Sequence, residues 1–536
     1  MHKYYKYTLA GLILVLIALL TPRDYFLVEN KISKYTGQKH RPYVHFSPES
    51  NWMNDPNGMV YYEGEYHLFF QYHPDSTVWG PMHWGHAVSE DLLHWEELPI
   101  ALYPDDLGYI FSGSAVIDWN NTSGLQEGNH PPMVAIFTHH NPEGEKELDN
   151  NVFQYQSIAY SSDKGRTWTK YQGNPVIPNP GIRDFRDPKV FWHEEAQRWV
   201  LILAAADKVM LYSSPNLIDW ELQSDFGADI GAHGGVWECP DLFKLPVEDG
   251  NEEKWVMLVS IGSGGPNGGS ATQYFVGDFD GTSFTPSQKG TQWLDYGRDN
   301  YAGVTWSDIP KEDDRRLFMG WMSNWDYAQV VPTEAWRSAM TLPRTLHLSK
   351  TANQYRVESR PIDELNSIES EQVLVAQDFS VENNMDDSVT YELIQQQKEA
   401  FSFEILQRVQ VVFDLKDIEG KSFGIELSNQ LGEKYYLKIK DGLVESDRRK
   451  VGDNSFSEKF AKSTHKAIIP EFDQKETLKV EMIVDVSSVE IFIEDGELVF
   501  TELIFPSEHL TYGKIFSQNG EVKINSKRTT RLIGTW

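Results

Sequence analysis

The feature that most constrains the fold is a unit that recurs four times in the first two thirds of the chain. Each copy is a short apolar strand, a turn rich in Ser and Asp, and then an aromatic residue that we expect to be buried. The copies run His86–Trp95, Ala159–Trp168, Leu211–Trp220 and, more loosely, Tyr274–Phe284. They lie roughly 50–70 residues apart, which is close to the length of a four-stranded propeller blade. About five blades fit into this part of the chain.

A β-sandwich is the alternative for so many short strands, but it would not repeat this unit at blade intervals. Beyond the repeats, apolar and polar residues alternate, as in Phe423–Leu427, Leu437–Ile439 and Val489–Ile493. Alternation with one wet face indicates two packed sheets. We therefore predict an all-β chain with a five-bladed β-propeller in residues 40–350, a linker in 351–372 and a β-sandwich in 373–536.

Composition limits the classes of partner. The 536 residues exceed one ordinary core, so two domains are the default. The net charge of −31 argues against nucleic acid, whose phosphates would be repelled. Cys239 is the only cysteine, which excludes an internal disulfide and a cysteine-built zinc site. We expect no metal and no cofactor, and the sequence does not indicate an oligomeric state.

The N-terminus predicts export. A basic start, Met1–Lys6, precedes an apolar run from Leu9 to Leu20. This run fits a secretory signal and falls short of the roughly 20 residues of a comfortable membrane span. Because Thr21-Pro22-Arg23 follows instead of a small-residue cleavage site, an uncleaved membrane anchor is the alternative. We assign residues 1–39 to this segment and a spacer.

Three carboxylates have unusual settings. In Trp52-Met53-Asn54-Asp55-Pro56-Asn57-Gly58, the Pro-Asn-Gly sequence predicts a sharp turn that would hold Asp55 at its lip. A carboxylate nucleophile for sugar chemistry could be presented in this way. The plainer interpretation is a turn that only ends a strand.

The other two are Asp187, in Phe185-Arg186-Asp187-Pro188, and Glu238, in Trp237-Glu238-Cys239-Pro240-Asp241. Arg186 should hold Asp187 ionised by lowering its pKa, although a structural Arg-Asp pair is the alternative. An apolar surround should raise the pKa of Glu238, as a general acid requires. We expect Cys239 to pack against this acid and not to act as a nucleophile.

Several other residues suit a saccharide pocket, in which rings stack on sugars and amides read hydroxyls. Phe111–Ser114 offers a hydroxyl-bearing turn, and Asp299–Tyr301 and Trp321–Trp325 add amides and aromatic platforms. Each aromatic residue taken alone could equally be core. The Gly262–Gly269 run has no Lys-Ser/Thr after it and is therefore a loop and not a phosphate cradle.

Together, Trp52–Gly58, Phe111–Ser114, Phe185–Pro188 and Trp237–Phe243 resemble motifs of glycoside hydrolase family 32, the invertases, inulinases and levanases. Further segments extend the resemblance over nearly the whole chain after the first forty residues: His83–His86, Trp336–Arg344 and Ser487–Phe492. The resemblance implies a propeller followed by a sandwich, and a double-displacement mechanism that retains the anomeric configuration.

By this similarity Asp55 is the nucleophile, Glu238 the acid/base and Asp187 the transition-state stabiliser. The substrate-binding residues it implies are Trp52, Asn54, Asn57, Gln71, Trp79, Phe111, Ser112, Arg186 and Trp325. The expected activity is exo-acting release of fructose from fructans such as levan or inulin, and from sucrose. A fructosyltransferase of the same family and a non-catalytic fructan-binding surface protein are the alternatives.

Overall fold

A computed structural model describes residues 37–248, 250–351, 354–381, 390–392 and 406–535. Most of the predicted export segment, residues 1–36, therefore lies outside the described residues. Within those ranges, no helix is long and apolar enough to cross a membrane.

Five sheets form the first part of the described chain. Their strands are β1 (Asn51–Tyr62), β2 (Glu65–His73), β3 (His83–Ser89), β4 (Glu96–Leu102), β5 (Tyr109–Ile117), β6 (Met133–His140), β7 (Gln154–Ser161), β8 (Thr169–Lys170), β9 (Phe185–His193), β10 (Arg198–Ala205), β11 (Lys208–Ser214), β12 (Glu221–Phe226), β13 (Trp237–Pro246), β14 (Glu253–Ile261), β15 (Ala271–Phe279), β16 (Phe284–Pro286), β17 (Gln292–Trp293), β18 (Tyr301–Thr305), β19 (Arg316–Met322), β20 (Trp336–Arg337), β21 (Ala339–Met340), β22 (Arg344–Thr351) and β23 (Gln354–Pro361). A short helix, α1 (Pro142–Lys146), and a 3₁₀ turn at Ala328–Val330 complete this part.

The five sheets are the blades of a propeller. Strands β1, β5, β9, β13 and β18 contact one another in a ring, each as the innermost long strand of its sheet. The ring is closed by the late strand β20, which pairs in parallel with β1 of the first sheet. The predicted five-bladed propeller is confirmed.

The recurring sequence unit has one structural role. Each copy connects the third and fourth strands of its blade: β3 to β4, β7 to β8, β11 to β12 and β15 to β16. In the first copy the Asp91 carboxylate accepts hydrogen bonds from the backbone of Leu93 and His94, and the Trp95 indole donates to the Leu92 carbonyl. Trp168 and Trp220 donate to the carbonyls of Gly165 and Leu217 in the same way. The repeat is thus a capped turn, anchored by the aromatic ring that follows it.

The remaining strands form two six-stranded sheets. They are β24 (Glu369–Val381), β25 (Thr390–Glu392), β26 (Gln407–Asp414), β27 (Ser422–Ser428), β28 (Lys434–Lys440), β29 (Leu443–Lys450), β30 (His465–Ile468), β31 (Thr477–Val484), β32 (Ser488–Ile493), β33 (Leu498–Leu503), β34 (Tyr512–Gln518) and β35 (Val522–Leu532), with 3₁₀ turns at Asp363–Ile368 and Phe472–Gln474. One sheet has the order β24-β35-β26-β31-β32-β33 and the other β25-β34-β27-β28-β29-β30.

These sheets share one apolar core, as alternation predicts. Phe423, Ile425 and Leu427 of one sheet and Val489 and Ile491 of the other are fully buried in it. The predicted C-terminal β-sandwich is confirmed. One detail differs: Gln354–Pro361 is the outer strand of the fifth blade and not part of a linker, because it pairs along its length with β22.

Candidate active site

The three predicted carboxylates lie on three inner strands of the propeller, and each is placed by a local irregularity. The pairing of β1 with β2 shifts between Met53 and Pro56, which leaves Asp55 in a bulge. Asp187 in β9 has a left-handed backbone, with φ of 65°. In β13 the register shifts just after Glu238, where Cys239 has φ of 44°. Bulges redirect side chains, and here they point carboxylates from separate blades toward one another.

The sharp reversal predicted for Trp52–Gly58 is wrong. These residues belong to the continuous strand β1, where Pro56 and Asn57 pair with Phe70 and Phe69. The Asn-Gly step makes a second bulge instead of a turn. Gly58 has φ of 58°, and a Cβ there would lie 2.7 Å from a carbon of Phe69, so no other residue fits well.

Asp55 is held by two donors. Its Oδ1 accepts from the Asn54 amide at 3.0 Å, and its Oδ2 accepts from the Ser112 hydroxyl at 2.8 Å. Asn54 is itself fixed, since its carbonyl oxygen accepts from the Trp52 indole at 2.7 Å. Burial and the neighbouring Glu238 raise the pKa of Asp55, while the two hydrogen bonds oppose the rise. The carboxylate is therefore oriented by its neighbours and crowded by a like charge.

Asp187 is buried on β9, the inner strand of the third blade. Its Oδ2 accepts from the backbone N–H of Cys239 at 3.0 Å, and its own N–H donates to the Thr138 hydroxyl at 3.0 Å. Burial raises its pKa to about 7 despite Arg186, and Glu238 and Asp55 add to the rise. The expectation that Arg186 would lower this pKa below its usual value is wrong, because burial outweighs the guanidinium at 4.0 Å.

Arg186 is directed mainly at a different acid. Its Nη2 and Nε donate to Glu238 Oε1 at 3.0 and 3.2 Å, and its Nη1 donates to Asp184 at 2.6 Å. The other Glu238 oxygen, Oε2, accepts from the Tyr301 hydroxyl. The predicted apolar surround of Glu238 is therefore wrong: the carboxylate lies between a cation and a phenol.

Cys239 connects the cluster. Its sulfur lies 3.6 Å from Asp55 Oδ2 and 3.6 Å from Asp187 Oδ2. Burial, together with the adjacent carboxylates, raises the pKa of the thiol well above its usual value, so it stays protonated. A neutral S–H group can donate a weak hydrogen bond to either carboxylate. Asp55 and Asp187, which are far apart in sequence, thus both contact the thiol of the residue that follows Glu238.

An aromatic wall borders the carboxylates. The half-buried Trp325 ring stacks on Trp52 with centroids 6.1 Å apart and packs on Trp321 at 4.9 Å. On the blade that carries Ser112, Phe111 stacks on His140 at 4.3 Å, and the exposed Trp79 meets the edge of Phe111 at 6.1 Å. The predicted aromatic residues therefore form two groups, one fixed in the core and one reaching solvent.

The other two predicted amides, Asn57 and Gln71, are also buried. Asn57 donates to the backbone carbonyl of Asp55 at 3.3 Å, whereas its Oδ1 is buried without a hydrogen-bond partner. Gln71 lies on β2 opposite the bulge that holds Asp55, and its Nε2 is also buried without a partner. The structure shows no direct contact of Gln71 with the three acids.

Sequence reasoning missed several supporting residues. Tyr301 was expected only as an aromatic platform, while Asp184, Thr138 and Gln154 were not considered. Gln154 accepts from the backbone of Phe185 at 2.8 Å and so fixes the start of β9. Thr138 and Gln154 come from the preceding blade, and no local motif marks them. Asp299 does not reach the site, because it pairs with Arg448 of the sandwich.

Comparisons with known proteins agree with this architecture. The profile of the glycosyl hydrolases family 32 N-terminal domain matches residues 45–361, and that of the family 32 C-terminal domain matches residues 364–530. A levanase of Bacillus subtilis is 47% identical over 510 residues, covering 94% of this chain and 72% of the relative. An extracellular exo-inulinase of Aspergillus niger is 40% identical over 528 residues, covering 93% of this chain and 96% of the relative.

Solved structures give the same result. The crystal structure of an exo-inulinase from Aspergillus awamori superposes with a TM-score of 0.84 at 38% identity, covering 93% of this chain and 99% of that one. A fructofuranosidase from Schwanniomyces occidentalis complexed with fructose superposes with a TM-score of 0.81 at 33% identity, covering 93% and 99%.

Proposed function

This chain belongs to glycoside hydrolase family 32, and from that premise we propose that it is an exo-acting β-fructosidase. Its reaction is hydrolysis of terminal β-D-fructofuranosyl bonds in fructans, levan or inulin, and in sucrose. The names of the similar proteins support this range, since they include levanases, extracellular exo-inulinases and invertases.

The observation that carries the proposal is the convergence of Asp55, Asp187 and Glu238: the Cys239 thiol contacts both aspartates, and Arg186 contacts both Asp187 and Glu238. A glycosidase needs two carboxyl groups with different tasks in one pocket. A structural cluster of acids would instead be neutralised by matching cations. Here the Arg186 guanidinium contacts Asp187 and Glu238 but not Asp55, and within the part of the chain that the structure describes it is the only cation in contact with these acids.

In the first step Asp55 attacks the anomeric carbon of the terminal fructosyl unit and forms a covalent ester. Glu238 donates its proton to the departing glycosidic oxygen, so the leaving sugar departs as an alcohol. The hydrogen bonds from Asn54 and Ser112 favour the ionised form of Asp55, which suits a nucleophile.

In the second step Glu238 takes a proton from water, and the water oxygen attacks the same carbon and releases Asp55. Two inversions give net retention. Arg186 and Tyr301 hold Glu238 from either side, so it keeps one position as it first gives and then takes a proton. Asp187, within reach of the same ring, supports the positive charge that develops in each transition state.

We also propose that the protein is exported. The basic start followed by an apolar run supports this, as do relatives named as extracellular.

A product profile tests the proposed activity. The protein is incubated separately with levan, inulin and sucrose, and products are separated by chromatography from the first minutes. Free fructose should be the only early product from both fructans, and sucrose should give fructose and glucose in equal amounts. Early internal fragments would overturn exo action. New oligosaccharides at high sucrose would indicate transfer, and no products at all would favour a binding protein.

A further inference from the structure

A cavity separate from the carboxylate cluster lies at the opposite end of the propeller. The acids occupy the beginnings of the inner strands, whereas this cavity of about 600 Å³ is lined by their ends and by the loops that follow them. Blades two to five contribute to it, through segments such as Val116–Asn120, Asp241–Lys244 and Thr305–Lys311. It is large enough for a hexose-sized molecule, since ligand pockets range over about 300–1,000 Å³.

A buried ionic bridge lies between the two ends. Lys189, two residues beyond Asp187 on β9, contacts Asp241 at 3.3 Å and donates to the carbonyl of Thr305. Lys189 and Asp241 are almost completely buried. The Asp241 contact joins the neighbouring inner strands β9 and β13, and the Thr305 bond joins β9 to β18, which is not its neighbour in the ring. These two bonds therefore link three blades between the three carboxylates and the cavity.

Four acids line the cavity. The exposed Glu194 accepts from the Trp192 indole and the Gln197 amide, and the other three also have hydrogen-bond partners. Asp118 accepts four hydrogen bonds from Thr122 and Ser123. Asp241 accepts from the backbone and hydroxyl of Thr305 in addition to Lys189. Asp308 accepts from the backbone of Ile117 at 2.9 Å and from the Trp119 indole at 2.8 Å. None of these three needs a bound cation.

Arg316, in contrast, lines the cavity with a guanidinium that the described residues do not satisfy. Within the described residues its guanidinium has no ion-pair partner and no hydrogen-bond partner, and its Nε is buried. Its guanidinium packs over the Phe243 ring at 5.1 Å, and burial lowers its pKa although Asp241 and Asp314 act against this. The four N–H groups on its two Nη atoms, held in a planar fork, are thus available at the cavity. In a chain with 79 acidic and 48 basic residues, this half-buried cation contacts no acid.

We propose that this cavity binds a small organic anion, a carboxylate- or phosphate-bearing molecule of about the size of a hexose. The Arg316 fork engages the anionic group, because planar two-point recognition of carboxylate and phosphate is what guanidinium does best. The exposed Lys311 adds positive charge at the rim, and Trp255 and Phe191 provide ring faces for the rest of the molecule.

Isothermal titration calorimetry with three sugars of one ring size tests this. Glucuronate carries a carboxylate, glucose 6-phosphate carries a phosphate, and glucose is neutral. One or both anionic sugars should bind in saturable fashion about tenfold or more tighter than glucose. Which of the two binds tighter identifies the anionic group. Equal affinity for glucose, or no saturable binding of either acid, would overturn the proposal.

Variants place the binding at this cavity. Arg316→Gln should weaken the anionic sugars by about tenfold or more, to the level of glucose. Lys289→Gln removes one charge from an exposed loop elsewhere and should bind like the unchanged protein. Arg316→Lys keeps the charge but loses the fork, and should bind the anionic sugars several-fold more weakly. Circular dichroism verifies the fold of each variant. Unchanged affinity in either Arg316 variant would overturn the assignment.

Discussion

Two buried clusters of charged side chains differ in how their charges are balanced. At one end of the propeller, Asp187 and Glu238 share the Arg186 guanidinium while Asp55 contacts no cation within the described residues, and burial raises the pKa of both aspartates. At the interface between propeller and sandwich, Asp295, Asp299 and Glu490 each contact a buried arginine. The comparison contrasts a carboxylate cluster that we propose to be catalytic with a charged cluster that stabilises the domain interface.

The interface cluster is centred on two arginines. Arg344 of the propeller contacts Asp295 at 3.2 Å and the sandwich residue Glu490 at 3.1 Å. Arg448 of the sandwich pairs with the propeller residue Asp299. Although burial opposes it, Arg344 and His45 hold the pKa of Glu490 below its usual value. Removing a charge should therefore have opposite consequences in the two clusters.

The largest effect should come from Asp55, the proposed nucleophile. Asp55→Asn keeps the shape of the side chain but removes the attacking anion, so kcat for fructose release should fall by roughly 10⁴-fold or more. Glu238→Gln should lose about 10²–10⁴-fold through the missing proton transfer. Initial rates on sucrose and inulin measure both. Asp473→Asn, an exposed aspartate of the sandwich, should retain full activity. Near-normal rates in Asp55→Asn would refute its role.

The next largest effect lies at the interface. Arg344→Met leaves Asp295 buried without a cation and Glu490 with His45 alone, and breaking a buried pair from one side costs about 3–5 kcal/mol. Chemical denaturation should show this loss in the free energy of unfolding. Arg449→Met is the matched control, because its pair with Asp447 lies at the surface and should contribute about 0–1 kcal/mol. Equal losses in the two variants would contradict the distinction.

Removing a charge from the carboxylate cluster should instead increase the free energy of unfolding. Asp187→Asn removes a charge that the fold opposes, so the variant should be more stable at neutral pH while losing most activity. A folded-state pKa of about 7 against 3.8 unfolded corresponds to on the order of 3–4 kcal/mol at pH 7. Because the pKa is raised, the penalty is absent below pH 3.8 and grows as the pH rises to 7. The unfolding curves of the variant and of the unchanged protein should therefore nearly coincide at pH 4 and separate at pH 7.

His45 should make the interface sensitive to alkaline pH. Burial alone would lower its pKa, but hydrogen bonds with Asp485 and Glu490 raise it to about 9. Its contribution, roughly 3 kcal/mol, is fully present below pH 6.5 and lost as the pH rises through 9. His45→Gln should flatten the fall in stability between these pH values. His130→Gln, an exposed histidine, should leave the slope unchanged.

The sequence predicts the architecture well because the signals are local. The Ser/Asp turn with its aromatic anchor is satisfied within about ten residues, as the Asp91 and Trp95 bonds show. Alternation in strands such as β27 likewise depends only on which face is wet. The three acids were also found, because each lies in an unusual local motif.

The partners of those acids could not be predicted in this way. Arg186 is adjacent to Asp187 in sequence, yet it bonds to Glu238 on another blade, because neighbours along a strand point to opposite faces. Thr138 and Tyr301 are supplied by separate blades, and no spacing rule connects them with Asp187 or Glu238. The electrostatics of the site follow from these distant contacts, which is why the predicted pKa direction of Asp187 was wrong.

Replacing Cys239 should have the smallest effect on activity among the changes in the carboxylate cluster. The sequence predicts a packing residue, whereas the sulfur contacts carboxylate oxygens of both Asp55 and Asp187 at 3.6 Å. If the thiol donates to them, Cys239→Ala removes a stabilising donor and their pKa values rise further. The acidic limb of the pH profile of kcat/KM should then move to higher pH, with kcat a few-fold lower. Cys239→Ser restores a donor and should move the limb back. Identical pH profiles for the two variants would show that the sulfur only fills space, because the serine hydroxyl can donate a hydrogen bond and the alanine side chain cannot.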